Sequence, residues 1–270
     1  MPSYVVTGAS RGIGYAFITH LASIPGNTVI GLVRNKAATE ERLVKDQINN
    51  IHILTADIND VHALRAATAE VSKITNGAGL DVLINNAAYL SYDYATKTLE
   101  NTSDPAGLEQ DILRSFRTNV IGVAHTINAF LPLIRFGKEK KVITISTSLA
   151  DLDLINEYDF ALQGPYVISK AGTNALVANY NAALGKKEGI LFLALSPGVV
   201  DTSEGVQEIS ERELEAMMGL MGKLVEYEPG FRGPITPEES VKLQMKVIDN
   251  ATVATHGGGF VSHTATEKWV

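Results

Sequence analysis

Short apolar, β-branched runs recur along the first two thirds of the chain, at residues 4–7, 28–33, 51–56, 81–84, 142–145 and 190–195. Between them lie segments whose apolar residues fall three and four apart, so the pattern predicts strands alternating with helices. The strand runs are nearly continuous in apolar character instead of switching between apolar and polar. Such strands are buried on both faces, as in a parallel sheet covered by helices. The expected fold is α/β, a single-domain, Rossmann-type, doubly wound parallel sheet over residues 1–270.

Particular residues mark where helices begin and end. A first helix should open near Gly12, place Ile13, Phe17 and Leu21 on one face, and stop at Pro25-Gly26-Asn27. A longer one should start at Asp104-Pro105, with Asp as cap and Pro in the first turn, and run through Phe116, Val120 and Val123. Two segments break the rhythm. Residues 148–163 interpose Asp151, Asp153, Glu157 and Asp159 among apolar side chains. Residues 203–235 carry Met217, Met218, Leu220 and Met221 and then a Pro/Gly-rich stretch, a pattern that fits a helix packed on the core and a substrate lid equally well.

Candidate chemistry begins at Thr7-Gly8-Ala9-Ser10-Arg11-Gly12-Ile13-Gly14, between the first strand and the first helix. Glycines permit the tight turn and the close approach of a pyrophosphate, which needs backbone amides and a helix N-terminus directed at it. Further on, Tyr166-Val167-Ile168-Ser169-Lys170 places a phenol and an ammonium four apart, on one face of a helix. A free tyrosine ionises near pH 10, so acid or base work close to neutrality requires a positive charge nearby to stabilise the phenolate.

The TGxxxGxG spacing, followed by Asn85-Asn86-Ala87-Ala88 and by YxxxK in the same chain order, resembles the short-chain dehydrogenase/reductase family, and the likeness accounts for residues 4–202. The resemblance implies a dinucleotide held by Gly8, Ser10, Arg11, Gly12, Ile13 and Gly14. It also implies an adenine edge at Asp57 and Ile58, and a ribose lined by Asn85, Asn86 and Ala87, where alanine replaces the last glycine of the family's NNAG. Asp57 has a second reading as a helix cap, for which Asp60 is the better candidate. Ser196-Pro197-Gly198-Val199-Val200-Asp201-Thr202 resembles the family's PGxxxT, which assigns Pro197, Gly198, Val199 and Thr202 to the nicotinamide carboxamide and the pyrophosphate.

The resemblance makes Tyr166 and Lys170 catalytic and cofactor-binding at once, and places Asn119 on a proton path ending at Lys170. Where the family ends its fifth strand with two serines, this chain reads Ile145-Ser146-Thr147-Ser148. Register puts Thr147 at the catalytic position, with Ser148 the alternative if the strand end shifts by one residue. An acidic residue closing the second strand would select NAD; here Val33 occupies that position, with Arg34 beside it and Arg11 in the glycine turn. Two guanidiniums clamp a 2′-phosphate by charge-assisted bonds, so the expected cofactor is NADP(H). The 145–151 loop and the Gly258-Gly259-Phe260-Val261 ending are most similar, within the family, to carbonyl reductases and enzymes like norsolorinic acid ketoreductase. A bulky apolar or aromatic ketone is the corresponding small-molecule substrate, or the matching alcohol in the reverse direction.

Composition narrows the classes. The chain has 270 residues, 45% hydrophobic and 20% charged, with a net charge of -7, which gives no general attraction to nucleic acid or anionic membranes. Zero cysteines exclude disulfides and thiolate chemistry and fit a reducing cytoplasm. Neither a signal segment nor a membrane anchor is expected. His20, His52, His62, His125, His256 and His263 lack metal-ligand spacing, so no metal is expected. The resemblance implies a homodimer or homotetramer. Two other readings share these motifs: an NADP-binding regulatory protein without turnover, and a cyclase or isomerase on the same scaffold.

Overall fold

The computed structural model describes every residue except Met1, Tyr92, Asn101, Thr102, 204–209 and Glu267, and leaves out the side chains of Arg212 and Glu213. In it, seven parallel strands form one sheet: β1 (Ser3–Thr7), β2 (Thr28–Val33), β3 (Ile51–Thr55), β4 (Val82–Asn85), β5 (Lys141–Ile145), β6 (Leu191–Ser196) and β7 (Phe260–Ser262). Their spatial order is β3-β2-β1-β4-β5-β6-β7. The chain therefore enters in the middle, winds outward to β3, and then crosses to the other side of β1. The carboxyl ends of β1 and β4 border the crevice at this reversal, which is where open α/β sheets bind ligands.

Alternate residues of each strand feed opposite cores, as the period of two demands. Tyr4 and Val6 of β1, with Val82 and Ile84 of β4, join Phe17, Ile18 and Leu21 of α1 (Gly12–Ala22) and Val241 and Ile248 of α10 (Pro237–Asn250). Val5, Leu83 and Phe192 face the other way, onto Leu64 and Val71 of α3 (Val61–Ile74), Ile127 and Phe130 of α5 (Val123–Phe136), and Val177 of α7 (Gly164–Tyr180). Full burial of each such side chain contributes about 1.5–3 kcal/mol, and two covered faces explain why the strands read as uninterrupted apolar runs.

The caps follow simple chemistry. Asn35 accepts from Ala38 N at the head of α2 (Lys36–Lys45), Asp60 from His62 N and Ala63 N at α3, and Asp104 from Gly107 N at α4 (Pro105–Phe116). The helix expected to continue from 104 past Val123 is not regular. A wide, π-helical turn, Arg117–Gly122, interrupts it before α5 begins. The 148–163 excursion becomes a 3₁₀ turn, Ser148–Ala150, and α6 (Leu152–Tyr158). Of the Met-rich segment, 204–209 lie outside the described residues, and the remainder forms α9 (Glu211–Tyr227). Its Leu220, Met221 and Leu224 pack with Leu154 and Phe160, while Met217 and Met218 face solvent. The short helices α8 (Lys186–Glu188) and α11 (Val253–His256) complete the set. β7 was not expected from the pattern: three residues at the edge of the sheet are too few to show a period.

Candidate active site

The turn after β1 is shaped by contacts that exclude side chains. Gly8 has φ +66°, and a Cβ there would lie 2.8 Å from the Ala87 Cα; on Gly14 it would lie 2.2 Å from the Gly8 carbonyl oxygen. A Cβ on Gly12, at φ +53°, would meet the Thr202 methyl at 3.3 Å, so the segment after β6 reaches across to the same turn. Asn86 fixes the cradle to the sheet. Its Nδ2 donates to the carbonyls of Thr7 and Gly8 (3.0 and 3.2 Å), and its amide and that of Ala87 donate to Thr7 Oγ1 (both 3.0 Å). Asn85 is buried and donates to Thr144 Oγ1 on β5 at 3.3 Å. The bare backbone above α1 fits a pyrophosphate.

Around this cradle the remaining expected contacts fall at different depths. Arg11 and Arg34 are exposed, and neither guanidinium has a protein partner among the described residues. Ser10 is exposed as well, and its carbonyl accepts from Arg42 at 3.4 Å. Asp57 Oδ1 accepts from Asn59 N at 2.8 Å, a tight local turn, while Asp60 is the helix cap. The Ile58 side chain is buried in the core that faces α3 and α5, whereas Ile13 is half-buried against the opposite core, around α1. Gly198, at φ +82°, lies under the His263 ring, and the Pro197 carbonyl accepts from Ser240 Oγ at 2.6 Å. The Val199 carbonyl is taken by Ile235 N at 2.9 Å, which leaves the Val199 amide as its free group.

On α7, Tyr166 and Lys170 share a face as their spacing requires. Lys170 Nζ lies 5.7 Å from the Tyr166 ring centroid and donates to the Ile145 carbonyl at the end of β5 at 2.6 Å. Burial pushes the Tyr166 phenol up to about 12 and the Lys170 ammonium down to about 8. Both shifts have one cause: desolvation disfavours whichever form is charged. Near neutral pH the pair is a protonated phenol beside an ammonium, and no group among the described residues bonds the phenol hydroxyl. Asn119, fully buried in the wide turn, accepts from Tyr89 N at 2.8 Å and donates to the Tyr89 carbonyl and to Ser169 Oγ (2.9 and 2.8 Å). Ser169 Oγ in turn donates to the Tyr166 carbonyl at 2.7 Å. Sequence reasoning named Asn119 but missed Tyr89 and Ser169, although Ser169 lies inside the YxxxK motif.

At the end of β5, Ser146 points to α7, donating to Asn174 Oδ1 at 2.6 Å. Thr147 Oγ1 accepts from Leu149 N at 3.3 Å, which keeps its own proton available, and Ser148 is buried. Next to this end lies a largely apolar cavity of about 260 Å³ lined by Leu149, Phe160, Leu162 and Leu220, with Thr98, Asp159, Gln163 and Lys223 also on its wall. Gln163 stands at the N-cap position of α7, three residues before Tyr166, with no capping bond from its side chain. Among the described residues no cluster of ligating side chains suits a metal ion, and no helix is long and apolar enough to cross a membrane.

A glycine cradle at the sheet reversal, with the Tyr166–Lys170 pair at the end of β5 two strands from β1, fits an α/β protein of the dinucleotide-dependent class. The chain belongs to the short-chain dehydrogenase family, whose model matches residues 3–214, and is an oxidoreductase of that family. It is 53% identical over 270 residues to the short-chain dehydrogenase/reductase AacuF of Aspergillus aculeatus, covering 100% of both chains. It is 43% identical over 274 residues to the short chain dehydrogenase virK of Hypocrea virens, again over 100% of both. Among solved structures, the NADPH-bound carbonyl reductase from chicken fatty liver superposes with a TM-score of 0.77 at 24% identity, covering 98% of each chain. Carbonyl reductase Sniffer of Drosophila melanogaster gives 0.76 at 23%, also over 98% of each. These two share the fold.

Proposed function

We propose that the protein reduces a ketone to an alcohol with NADPH, Tyr166 being the proton donor. The observation that carries this reading is the Tyr166–Lys170 pair itself: a phenol hydroxyl unclaimed by the protein, on the helix face it shares with a buried ammonium that donates to the Ile145 carbonyl. When bound, the nicotinamide cofactor supplies the hydride. Gly8, Gly12, Gly14 and Thr202 would hold its pyrophosphate, and the Val199 amide its carboxamide.

The chain's own groups supply the rest. The substrate oxygen receives a hydrogen bond from Thr147, or from Ser148 if the strand end is read one residue later, and the proton of Tyr166 as negative charge develops on it. The Lys170 ammonium stabilises the phenolate left behind, and its bond to the Ile145 carbonyl fixes where that charge sits. Asn119, bonded through Ser169 to the backbone of Tyr166, holds the helix start in place. The apolar cavity beside Gln163 supports a bulky or aromatic ketone. Arg11 and Arg34, exposed and unpaired, support NADPH over NADH, since a 2′-phosphate would meet two guanidiniums with no carboxylate competing for them. Exposed Leu113, Ile121 and Ile168, from α4, the wide turn and α7, support a homodimer or homotetramer, and the lack of cysteine supports a cytoplasmic setting.

The test is a fluorescence titration with NADPH and NADH, for the wild type and Arg34→Ala, followed by a ketone panel. Tighter binding of NADPH, lost in Arg34→Ala, and NADPH consumption with ketone are the expected results. Binding of neither nucleotide overturns the proposal; binding without turnover of any ketone favours the regulatory reading.

A further inference from the structure

The chain has a single tryptophan, and it sits where three elements meet. The Trp269 ring stacks on Phe260 of β7 at 4.4 Å, its backbone amide donates to Tyr227 Oη at the end of α9 at 3.1 Å, and its indole N–H donates to Asp151 Oδ2 at 2.9 Å. Asp151 is the cap of α6: its other oxygen accepts from Asp153 N and Leu154 N at 2.9 and 3.3 Å. Beside it, Lys268 pairs with Glu228, one residue beyond α9. Tyr227 meets Tyr158, the last residue of α6, edge to face at 5.3 Å.

None of these residues lines the apolar cavity, but Tyr158, Tyr227 and Trp269 pack in the same cluster as Leu149, Phe160 and Leu220, which do. One wall of that cavity is the 149–163 segment that contains α6, through Leu149, Phe160 and Leu162; the other is α9, through Leu220 and Lys223. Neither wall belongs to the sheet. Trp269 joins both walls to β7, the sheet's edge strand.

We propose that Trp269 is a positioning residue that sets the spacing of the two cavity walls, and so the fit of bulky ketones, through its bond to Asp151. This rests on the reductase reading above. The indole N–H meets a carboxylate already committed to capping α6, so its loss releases the first turn of α6 from the sheet edge, while the glycine turn after β1, on the far side of β5, keeps its contacts. Binding of a large substrate then weakens, and turnover of a small one does not.

The experiment compares wild type with Trp269→Phe, which keeps a ring on Phe260 and the backbone bond to Tyr227, with Asp151→Asn, which keeps one carbonyl oxygen for the cap, and with the double variant. Substrates are acetylnaphthalene and butanone. A charge-assisted bond of this kind gives each single variant an increase of about tenfold in KM for acetylnaphthalene. kcat, the butanone constants and the NADPH affinity should stay as in wild type, and the double variant should be no worse than the singles. An unchanged KM for acetylnaphthalene in Trp269→Phe, or effects that multiply in the double variant, overturns the proposal, as does a parallel loss for both ketones. A wild type that consumes NADPH with neither ketone defeats the reductase reading instead. Acrylamide quenching of the lone tryptophan then decides: stronger quenching in Asp151→Asn upholds the strap, and equal quenching refutes it.

Discussion

Replacing Lys170 with methionine, which has similar length and no charge, should make the protein's stability less dependent on alkaline pH. Lys170 is only 3% exposed, and burial lowers its ammonium from the usual 10.5 to about 8. At about 1.4 kcal/mol per pKa unit, the folded state is penalised by roughly 3 kcal/mol where the group is charged in both states. The unfolded chain binds the extra proton between pH about 8 and about 10.5, so over that window wild-type stability rises with pH. From pH about 7 to about 9.5 the gain from this one residue is about 2 kcal/mol. Tyr4, Tyr15 and Tyr166, raised to about 12, pull the other way only above pH about 10, and they do so in both proteins. The assay is urea unfolding of wild type and Lys170→Met at several pH values across that range, without nucleotide. At neutral pH the variant should be as stable as wild type or up to about 2 kcal/mol more so, because relief of the charge is partly offset by the orphaned Ile145 carbonyl. The ketone reduction proposed for the wild type should be nearly abolished in it. Parallel stability curves for the two proteins would refute the burial argument.

Other outcomes follow from the same geometry. Thr147→Ala should lower kcat by about a hundredfold with nucleotide binding intact, as loss of one donor to a developing oxyanion does; the same loss in Ser148→Ala alone would transfer the role to Ser148. Gly8→Ala puts a methyl at φ +66° and 2.8 Å from the Ala87 Cα, so backbone must move. About 1–2 kcal/mol of stability should go, with a more than tenfold weaker NADPH affinity, read by thermal melts and titration; wild-type affinity in that variant would show that the cradle tolerates a side chain.

The parallel sheet was legible because burial on both faces writes the strands as unbroken apolar runs, and the caps Asp60 and Asp104 were legible because an Asx side chain beside free amides is a local signal. The wide turn at Asn119 was not. Nothing in Arg117-Thr118-Asn119-Val120-Ile121-Gly122 signals a changed hydrogen-bond period, which depends on partners 30 and 50 residues distant, at Tyr89 and Ser169. Trp269 was silent for a similar reason: its role rests on a bond to Asp151, 118 residues earlier. Motif spacing brought Tyr166 and Lys170 together because four residues on a helix is a fixed distance, whereas the ending 147–148 depended on which hydroxyl the chain turns toward Leu149.

The wide turn also constrains how the gene for this chain can change. Deleting one residue anywhere in 117–122 would restore ordinary helical pitch, which looks like an improvement when read locally. The wide turn already absorbs its extra residue, so α5 would keep Ile127, Phe130 and Ile134 on the sheet, but closing the turn to regular pitch would draw Asn119 out from between Tyr89 and Ser169. The surplus residue thus lets a polar group bulge from a helix that goes on to bury an apolar face, and length changes in this stretch should be tolerated less well than substitutions.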